Sequence, residues 1–257
     1  MIRPWAGAVA VALALAVASG CGGDAEPGTG GAASVPNPRE SGLRIGDPQP
    51  LEEGAGAWAP VLRASAVRAA PSEGATVVAR LSTGTPEGTR NIVALAGAEG
   101  EAARPGWVRV RVAVLPNGTV GWVRRRALGG YETVGTRLVL DLGAQTIVLL
   151  RDGREILSAP VGVGTADAPT PAGEFYVRSK LTRYASPAYG PVAFGTSARS
   201  PTLTDWPAGG FVGIHGTDRP ELLPGRVSHG CVRMRNADIL RLAELLPVGT
   251  PLTIRDV

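Results

Sequence analysis

The amino-acid sequence predicts a mainly β protein with one short helix near its C-terminus. Three observations predict this class. Glycine and proline are abundant, with 36 and 22 residues among 257, and such a composition favours short strands and tight turns over long helices. From residue 58 onward, apolar residues alternate with polar ones over short runs, which is typical of half-buried strands. Only residues 236–246 have the apolar spacing of a helix.

Residues 1–20 are predicted to be a secretory signal. Arg3 supplies a positive charge, and residues 6–18 are apolar but shorter than the roughly 20 residues of a membrane span. Small residues precede Cys21, and this pattern resembles the lipobox of bacterial lipoproteins. The resemblance implies that Cys21 is diacylated and anchors the protein to a membrane, in the cell envelope facing the periplasm or the cell wall. A plain signal peptide and an uncleaved anchor are the alternatives.

Residues 21–56 are predicted to be a flexible linker. Glycine, proline, alanine, serine and acidic residues dominate this segment, and it has almost no large apolar residue. Such a composition cannot bury enough apolar surface to offset the entropy of ordering the chain.

Residues 57–130 are predicted to form a small β module. Strands are expected at residues 66–71, 76–81 and 106–112. Asn117-Gly118 is a strong hairpin turn signal, and a return strand is expected at residues 121–123. The pattern resembles the bacterial SH3-like module, a small barrel, with residues 87–105 as an inserted loop. The resemblance implies either the binding of wall peptides or the role of a spacer.

Residues 131–257 are predicted to form a second β-rich domain. Strands are expected at residues 137–141, 146–151, 155–161, 174–178, 210–215 and 252–254. A loop rich in glycine, threonine and proline is expected at residues 162–173. Asn236 is expected to cap the helix, and Pro247 to end it.

Histidine and cysteine are rare, with two residues of each. Three of the four, namely His215, His229 and Cys231, lie within 17 positions of one another. A thiolate is a strong nucleophile, and imidazole is the usual base that produces it, so the grouping indicates a thiol enzyme. If Cys21 carries lipid, Cys231 is the only thiol of the mature chain. A zinc site built from the three residues is the alternative, although no Cys-x-x-Cys pair supports it.

The local sequence around these residues suggests how they are presented. Residues 210–215 predict a strand that ends at its histidine, and residues 228–231 predict a turn in which Gly230 allows an unusual backbone conformation. Successive amides of His229, Gly230 and Cys231 are expected to face a developing oxyanion.

Ile-His-Gly-Thr at residues 214–217, followed after a gap by Ser-His-Gly-Cys-Val-Arg-Met at residues 228–234, resembles the active-site signature of the YkuD-type L,D-transpeptidases. Residues 169–175 are similar to the Thr-Pro-x-Gly-x-Phe loop of that family, and residues 189–191 to its Tyr-Gly pair. The resemblance covers residues 131–256 and implies a β-rich catalytic domain.

The resemblance also implies roles for individual residues. Cys231 is the nucleophile and His215 the general acid and base. The residues that support the turn and the oxyanion are Ser228, His229 and Gly230. Arg233 is expected to bind a stem carboxylate, with a structural salt bridge to Asp238 or to the domain surface as the alternative. No metal and no cofactor are expected.

The reaction implied is peptidoglycan 3→3 cross-linking. A stem tetrapeptide loses its terminal D-Ala to form a thioester on the enzyme, and a side-chain amine of another stem resolves that thioester. The alternatives are an L,D-carboxypeptidase with water as acceptor, a transpeptidase that anchors a lipoprotein lysine, and a non-catalytic wall-binding lipoprotein.

The formal charge of +4 allows weak attraction to anionic polymers. The chain has no basic run interleaved with aromatic residues, so no nucleic-acid partner is expected. The protein is expected to be a monomer.

Overall fold

The computed structural model describes residues 56–96, 105–182, 186–203 and 210–256. Within these ranges the chain forms two β-sheets and one α-helix, and the predicted mainly β class is confirmed. The predicted signal, Cys21 and the linker up to residue 55 lie outside the described residues. In the part of the chain that is described, no helix has the length and hydrophobicity needed to cross a membrane.

Among the described residues the first sheet contains seven strands, and all of their pairings are antiparallel. The strands are β1 (Gly56–Pro60), β2 (Ser65–Arg68), β3 (Val77–Leu81), β4 (Ile92–Leu95), β5 (Trp107–Arg111), β6 (Val120–Arg124) and β7 (Glu132–Val134). Their order across the sheet is β3-β2-β6-β5-β4-β1-β7. Val67, Val110 and Val123 are fully buried in its core, as the alternating pattern of these strands requires. The SH3-like class of this module stays a prediction.

The expectation of a plain inserted loop at residues 87–105 is wrong in one respect. Strand β4 lies inside this segment and pairs with both β1 and β5. Ile92 and Val93 are buried, and β-branched residues of this kind are well suited to a half-buried pleated surface.

The second sheet contains ten strands within the part of the chain that the structure describes. They are β8 (Thr136–Asp141), β9 (Thr146–Arg151), β10 (Arg154–Pro160), β11 (Gly162–Gly164), β12 (Gly173–Leu181), β13 (Ala193–Arg199), β14 (Phe211–His215), β15 (Gly225–Ser228), β16 (Val232–Arg233) and β17 (Pro251–Arg255). Their order is β10-β9-β8-β17-β12-β13-β14-β16-β11-β15. Strand β11 lies at the start of the segment predicted as a loop, so that prediction is wrong for residues 162–164. The local sequence did not predict the strand because its pairing depends on distant residues of β15 and β16.

The helix α1 (Asn236–Leu245) packs on the core of the second sheet through Ile239, Leu242 and Ala243. These positions recur at the helical period, and each large apolar side chain contributes about 1.5–3 kcal/mol by its burial. The predicted helix is confirmed to within one residue at its end. The predicted cap is wrong, because Arg235 occupies the N-cap position without a side-chain hydrogen bond. Three short 3-10 helices complete the described elements, at Arg125–Ala127, Pro187–Tyr189 and Pro220–Leu222.

Two side chains make hydrogen bonds between the segment that forms the first sheet and the second sheet: Tyr176 on β12 and Asn117 between β5 and β6. The hydroxyl of Tyr176 donates a hydrogen bond to the carbonyl oxygen of Ile92 at 3.2 Å. Burial raises the pKa of Tyr176 to about 12, so its proton stays in this bond at any physiological pH. The side-chain amide of Asn117 contacts both backbone polar groups of Arg199.

Candidate active site

His215 is the last residue of β14 and is 4% exposed. Its Nδ1 atom lies 2.6 Å from the carbonyl oxygen of Gly216. A carbonyl oxygen only accepts hydrogen bonds, so Nδ1 carries the proton in the neutral ring. Nε2 then holds the lone pair and is the basic atom of the side chain.

Burial lowers the pKa of His215 to about 4. The hydrogen bond with Gly216 raises this pKa and the positive charge of Arg233 lowers it, but burial has the largest effect. The imidazole is therefore neutral at pH 7 and can accept a proton. The ring of Tyr189 lies against it, with 4.5 Å between the two ring centroids.

Cys231 follows the turn between β15 and β16, and its side chain is half-buried. Gly230, just before it, has φ of +108°, a conformation that side-chain-bearing residues rarely adopt. Strand β16 then runs parallel to β14, with Val232 opposite Ile214 and Arg233 opposite His215. This register brings the thiol and the imidazole to the same edge of the two strands.

Gly213 lies between the two reactive side chains. A Cβ atom placed on Gly213 would be 3.9 Å from Cys231 Sγ and 3.9 Å from His215 Cδ2, so both side chains lie close to one point. The Gly213 amide donates a hydrogen bond to Cys231 Sγ at 3.4 Å. Burial raises the pKa of the Cys231 thiol, and this hydrogen bond and the charge of Arg233 lower it. Since burial has the largest effect, the resting thiol is protonated at neutral pH.

Ser228 holds the turn closed. Its hydroxyl donates to the carbonyl oxygen of Cys231 at 2.6 Å and accepts from the Gly230 amide at 3.1 Å. The Gly230 amide is therefore engaged within the turn, which corrects the expectation that it faces an oxyanion. An oxyanion site in this turn would instead use the amide of Cys231 itself.

His229 and Arg233 both line a cleft of about 180 Å³ that also contains His215, Ser228 and Cys231. His229 is exposed. Arg233 is half-buried, and its Nε atom is buried with no hydrogen-bond partner. Within the described ranges no ion pair joins Arg233 to Asp238, so the structural alternative has no support.

Three further residues support the site in ways that the sequence analysis did not assign. Thr170 is buried, accepts a hydrogen bond from the Gly164 amide at 2.9 Å and donates one to the Gly230 carbonyl at 2.8 Å. Asn236 accepts from the Thr217 amide at 3.0 Å through Oδ1 instead of capping its own helix. The third is Tyr189. The sequence motifs included Thr170 and Tyr189, and Asn236 was predicted as a helix cap, but the local sequence gave no sign of these contacts.

A metal site is not assembled from these residues. Among the described residues, no three histidine, cysteine or acidic side chains come together in a group that could hold an ion. His215, His229 and Cys231 are all described, so the zinc alternative lacks the convergence of ligands that it requires.

Solved structures of L,D-transpeptidases resemble part of this chain. A crystal structure of an Enterococcus faecium L,D-transpeptidase variant is 27% identical, with a TM-score of 0.38, over 47% of this chain and 50% of that one. The chain thus spans about half the length of the first solved structures that it matches.

The family model described as the L,D-transpeptidase catalytic domain, YkuD, matches residues 135–254. The L,D-transpeptidase named YkuD in Bacillus subtilis is 35% identical over 122 residues, which are 48% of this chain and 67% of that protein. The protein of the same name in Bacillus licheniformis is 34% identical over 123 residues, with the same two shares. The resemblance predicted from the sequence is confirmed: the chain belongs to the YkuD family and contains an L,D-transpeptidase catalytic domain.

Proposed function

We propose that this protein is a peptidoglycan L,D-transpeptidase that forms 3→3 cross-links through a thioester on Cys231. One observation carries the proposal. The thiol of Cys231 and the neutral imidazole of His215 line one cleft, and the hydrogen bond to Gly216 leaves Nε2 of the imidazole as the base. A nucleophile and a base of this kind are the two groups that acyl transfer requires.

The acylation step uses a stem tetrapeptide. Nε2 of His215 takes the thiol proton while Sγ attacks the carbonyl carbon of the third stem residue, a diamino acid. The amide bond to the terminal D-Ala breaks, and His215 returns its proton to the leaving amine. D-Ala departs and a thioester remains on Cys231.

The second step transfers the acyl group. The side-chain amine of another stem attacks the thioester carbonyl and gives a proton to His215. The C–S bond breaks and Sγ recovers a proton, which leaves a new amide bond between two third-position residues. The backbone amide of Cys231 is proposed to stabilise the negative oxygen in both steps.

Arg233 is proposed to bind a carboxylate of the stem peptide. Its guanidinium lines the cleft and has a buried Nε without a partner, and a carboxylate offers two oxygens to such a planar donor. Binding an anion there also offsets the electrostatic effect of Arg233 on the neighbouring imidazole, which favours the protonated His215 formed during acylation.

The acyl acceptor is tested with purified muropeptides rich in tetrapeptide. Mass analysis of the products should show tetrapeptide consumption, D-Ala release and 3→3 dimers. Tripeptide without dimers would indicate water as acceptor and refute cross-linking. A product joined to a protein lysine would indicate an anchoring reaction.

The thiol mechanism is tested with Cys231→Ala. This variant should lose both product formation and covalent labelling by a carbapenem, because both need the sulfur. Arg226→Gln is the matched control, since Arg226 lies on β15 just before this turn, is exposed and does not line the cleft. Unchanged product formation and labelling in Cys231→Ala would refute the thiol mechanism, whereas a wild-type protein that forms no product would support the non-catalytic alternative.

The location is proposed from the N-terminal sequence. We propose a lipid on Cys21, which holds the enzyme at a membrane of the cell envelope. Cys21→Ala should move the protein from the membrane pellet to the soluble fraction, and an unchanged pellet would refute the lipid anchor. Size-exclusion chromatography of the Cys21→Ala protein tests the expected monomer.

A further inference from the structure

A buried ion pair joins the segment before β4 to the second sheet. The Arg178 guanidinium, on β12, lies 2.6 Å from the Glu87 carboxylate. The side chain of Arg178 is 3% exposed and that of Glu87 16% exposed, so solvent screens the pair little. A charge pair in such surroundings holds its partners in a defined geometry, because separating them leaves a buried charge unpaired.

The same guanidinium lies on Phe211. The Arg178 Cζ atom is 3.9 Å from the centre of the Phe211 ring, and Arg199 Cζ is 4.7 Å from it. Both distances are within the range of favourable cation–π contact. Phe211 also lines the cleft that contains Cys231 and His215, so one face of the cleft depends on where this ring is held.

Phe211 begins β14, the strand that carries His215 and the amide that binds Cys231 Sγ. Two residues further on, Gly213 donates its amide hydrogen to Cys231 Sγ, and four residues further on is His215. Because a five-residue strand moves largely as a unit, a displacement at Phe211 changes the position of the Gly213 amide and of the imidazole.

A second contact reaches the same point. Arg199 pairs with Phe211 across β13 and β14. The backbone of Arg199 is held from the other side by Asn117, whose Nδ2 donates to the Arg199 carbonyl at 2.8 Å and whose Oδ1 accepts from the Arg199 amide at 3.0 Å. Two segments outside the catalytic sheet, around Glu87 and Asn117, therefore converge on the start of β14.

We propose that Glu87 is a positioning residue for the thiol site: through Arg178 it holds Phe211, and with it β14, in the place that aligns Cys231 and His215. The inference rests on the proposed thiol chemistry. It assigns the polypeptide that precedes the catalytic domain a direct part in shaping the substrate cleft.

The test compares Glu87→Gln with Glu73→Gln in the full-length protein in detergent micelles. Glu73 is the matched control, because its carboxylate also pairs with an arginine, Arg124, at 2.7 Å, but on the exposed surface of the first sheet. The measurements are kcat and KM on a disaccharide tetrapeptide, and the rate of Cys231 alkylation by iodoacetamide against pH. All are expressed per folded molecule.

Glu87→Gln should lower kcat/KM by about 10- to 100-fold, the range expected when reacting groups are displaced by up to an ångström. The pH midpoint of alkylation should rise, because a displaced Gly213 amide no longer stabilises the thiolate. Glu87→Asp should lower kcat/KM less than Glu87→Gln does, because it keeps a carboxylate, and Glu73→Gln should have the wild-type kcat/KM and pH midpoint. Equal kinetics and equal pH midpoints in Glu87→Gln and Glu73→Gln would overturn the proposal.

The double variant Glu87→Met/Arg178→Met guards against loss of folding. Replacing both members of a buried ion pair by apolar side chains of similar size is often neutral for stability. This variant should fold and should still show the lowered kcat/KM and the raised alkylation midpoint. Wild-type values in it would mean that an unpaired charge, and not lost positioning, caused the effect of Glu87→Gln, and would overturn the proposal.

The two proposals fail in different ways. If the wild-type protein forms no thioester, or if Cys231→Ala is fully active, the proposed function is wrong. If the wild-type protein is active through Cys231, and Glu87→Gln and Glu87→Met/Arg178→Met both match it, only the positioning role is wrong.

Discussion

Lowering the pH from 7 to 5 should destabilise the protein through His215. The folded state holds this imidazole with a pKa of about 4, against an ordinary value of 6.5. Between these two values the unfolded chain binds a proton that the folded chain does not, so the free energy of unfolding falls as the pH falls. The stabilisation of the neutral form is complete above pH 6.5 and is progressively lost down to pH 4.

The magnitude follows from the size of the pKa shift. Each pKa unit corresponds to about 1.4 kcal/mol, so the whole effect of His215 is on the order of 3 kcal/mol below pH 4. About 2 kcal/mol of this is expected between pH 7 and pH 5. His215 is 4% exposed, so solvent screening reduces this figure little.

Urea denaturation of wild type and of His215→Gln at pH 7 and pH 5 measures the effect. The wild-type protein should lose about 2 kcal/mol more than the variant on acidification, because glutamine does not titrate. Arg241→Gln serves as a control, since Arg241 is exposed on α1 and this variant retains His215, so it should keep the wild-type pH dependence. The same loss in wild type and in His215→Gln would refute the reasoning.

Three substitutions test the supports of the active-site turn by urea denaturation, with iodoacetamide alkylation of Cys231 as a second measurement. Gly230→Ala should lower the free energy of unfolding by about 1–3 kcal/mol and slow alkylation of Cys231, because φ at this position is +108°. An unchanged free energy of unfolding in this variant would show that the turn tolerates a side chain. Thr170→Val should cost about 1–3 kcal/mol, because it removes both hydrogen bonds of a buried hydroxyl; Thr170→Ser should recover most of the loss, and equal values for the two variants would contradict the role of the hydroxyl. Asn236→Ala should lower the free energy of unfolding by about 1 kcal/mol, because the Thr217 amide loses its acceptor, whereas Asn236→Asp keeps the acceptor. Equal denaturation midpoints for Asn236→Ala and Asn236→Asp would argue against a stabilising role for that hydrogen bond.

Local pattern was enough to predict most of the strands. The strand predicted at residues 146–151 is β9, and the helix predicted at residues 236–246 is α1 with one residue fewer. Both have a strong period in their apolar residues and clear stop signals, and these are properties of neighbouring residues. The grouping of His215 with Cys231 came from a motif whose two parts lie on adjacent strands.

Contacts between segments that are distant along the chain could not be predicted from the sequence. Glu87 and Arg178 are 91 positions apart, and nothing in either neighbourhood predicts that they pair. Asn236 has the composition of a helix cap, but its side chain has a better partner in the Thr217 amide, which only the folded arrangement brings near. Likewise, β4 and β11 are short strands whose pairing partners come from elsewhere in the chain, so their own residues carried a weak signal.

The position of β17 has a consequence for how the protein is made. This strand pairs in parallel with β8 and antiparallel with β12, and in the described sheet it is the link between β10-β9-β8 and the six strands that begin at β12. The nine other described strands of that sheet precede β17 along the chain. A polypeptide that emerges N-terminus first therefore exposes all nine before β17 is available to connect the two parts of the sheet. The catalytic domain must therefore close after residues 251–255 are released, and a truncation that removes them would leave two unjoined sheets whose exposed edges are prone to aggregate.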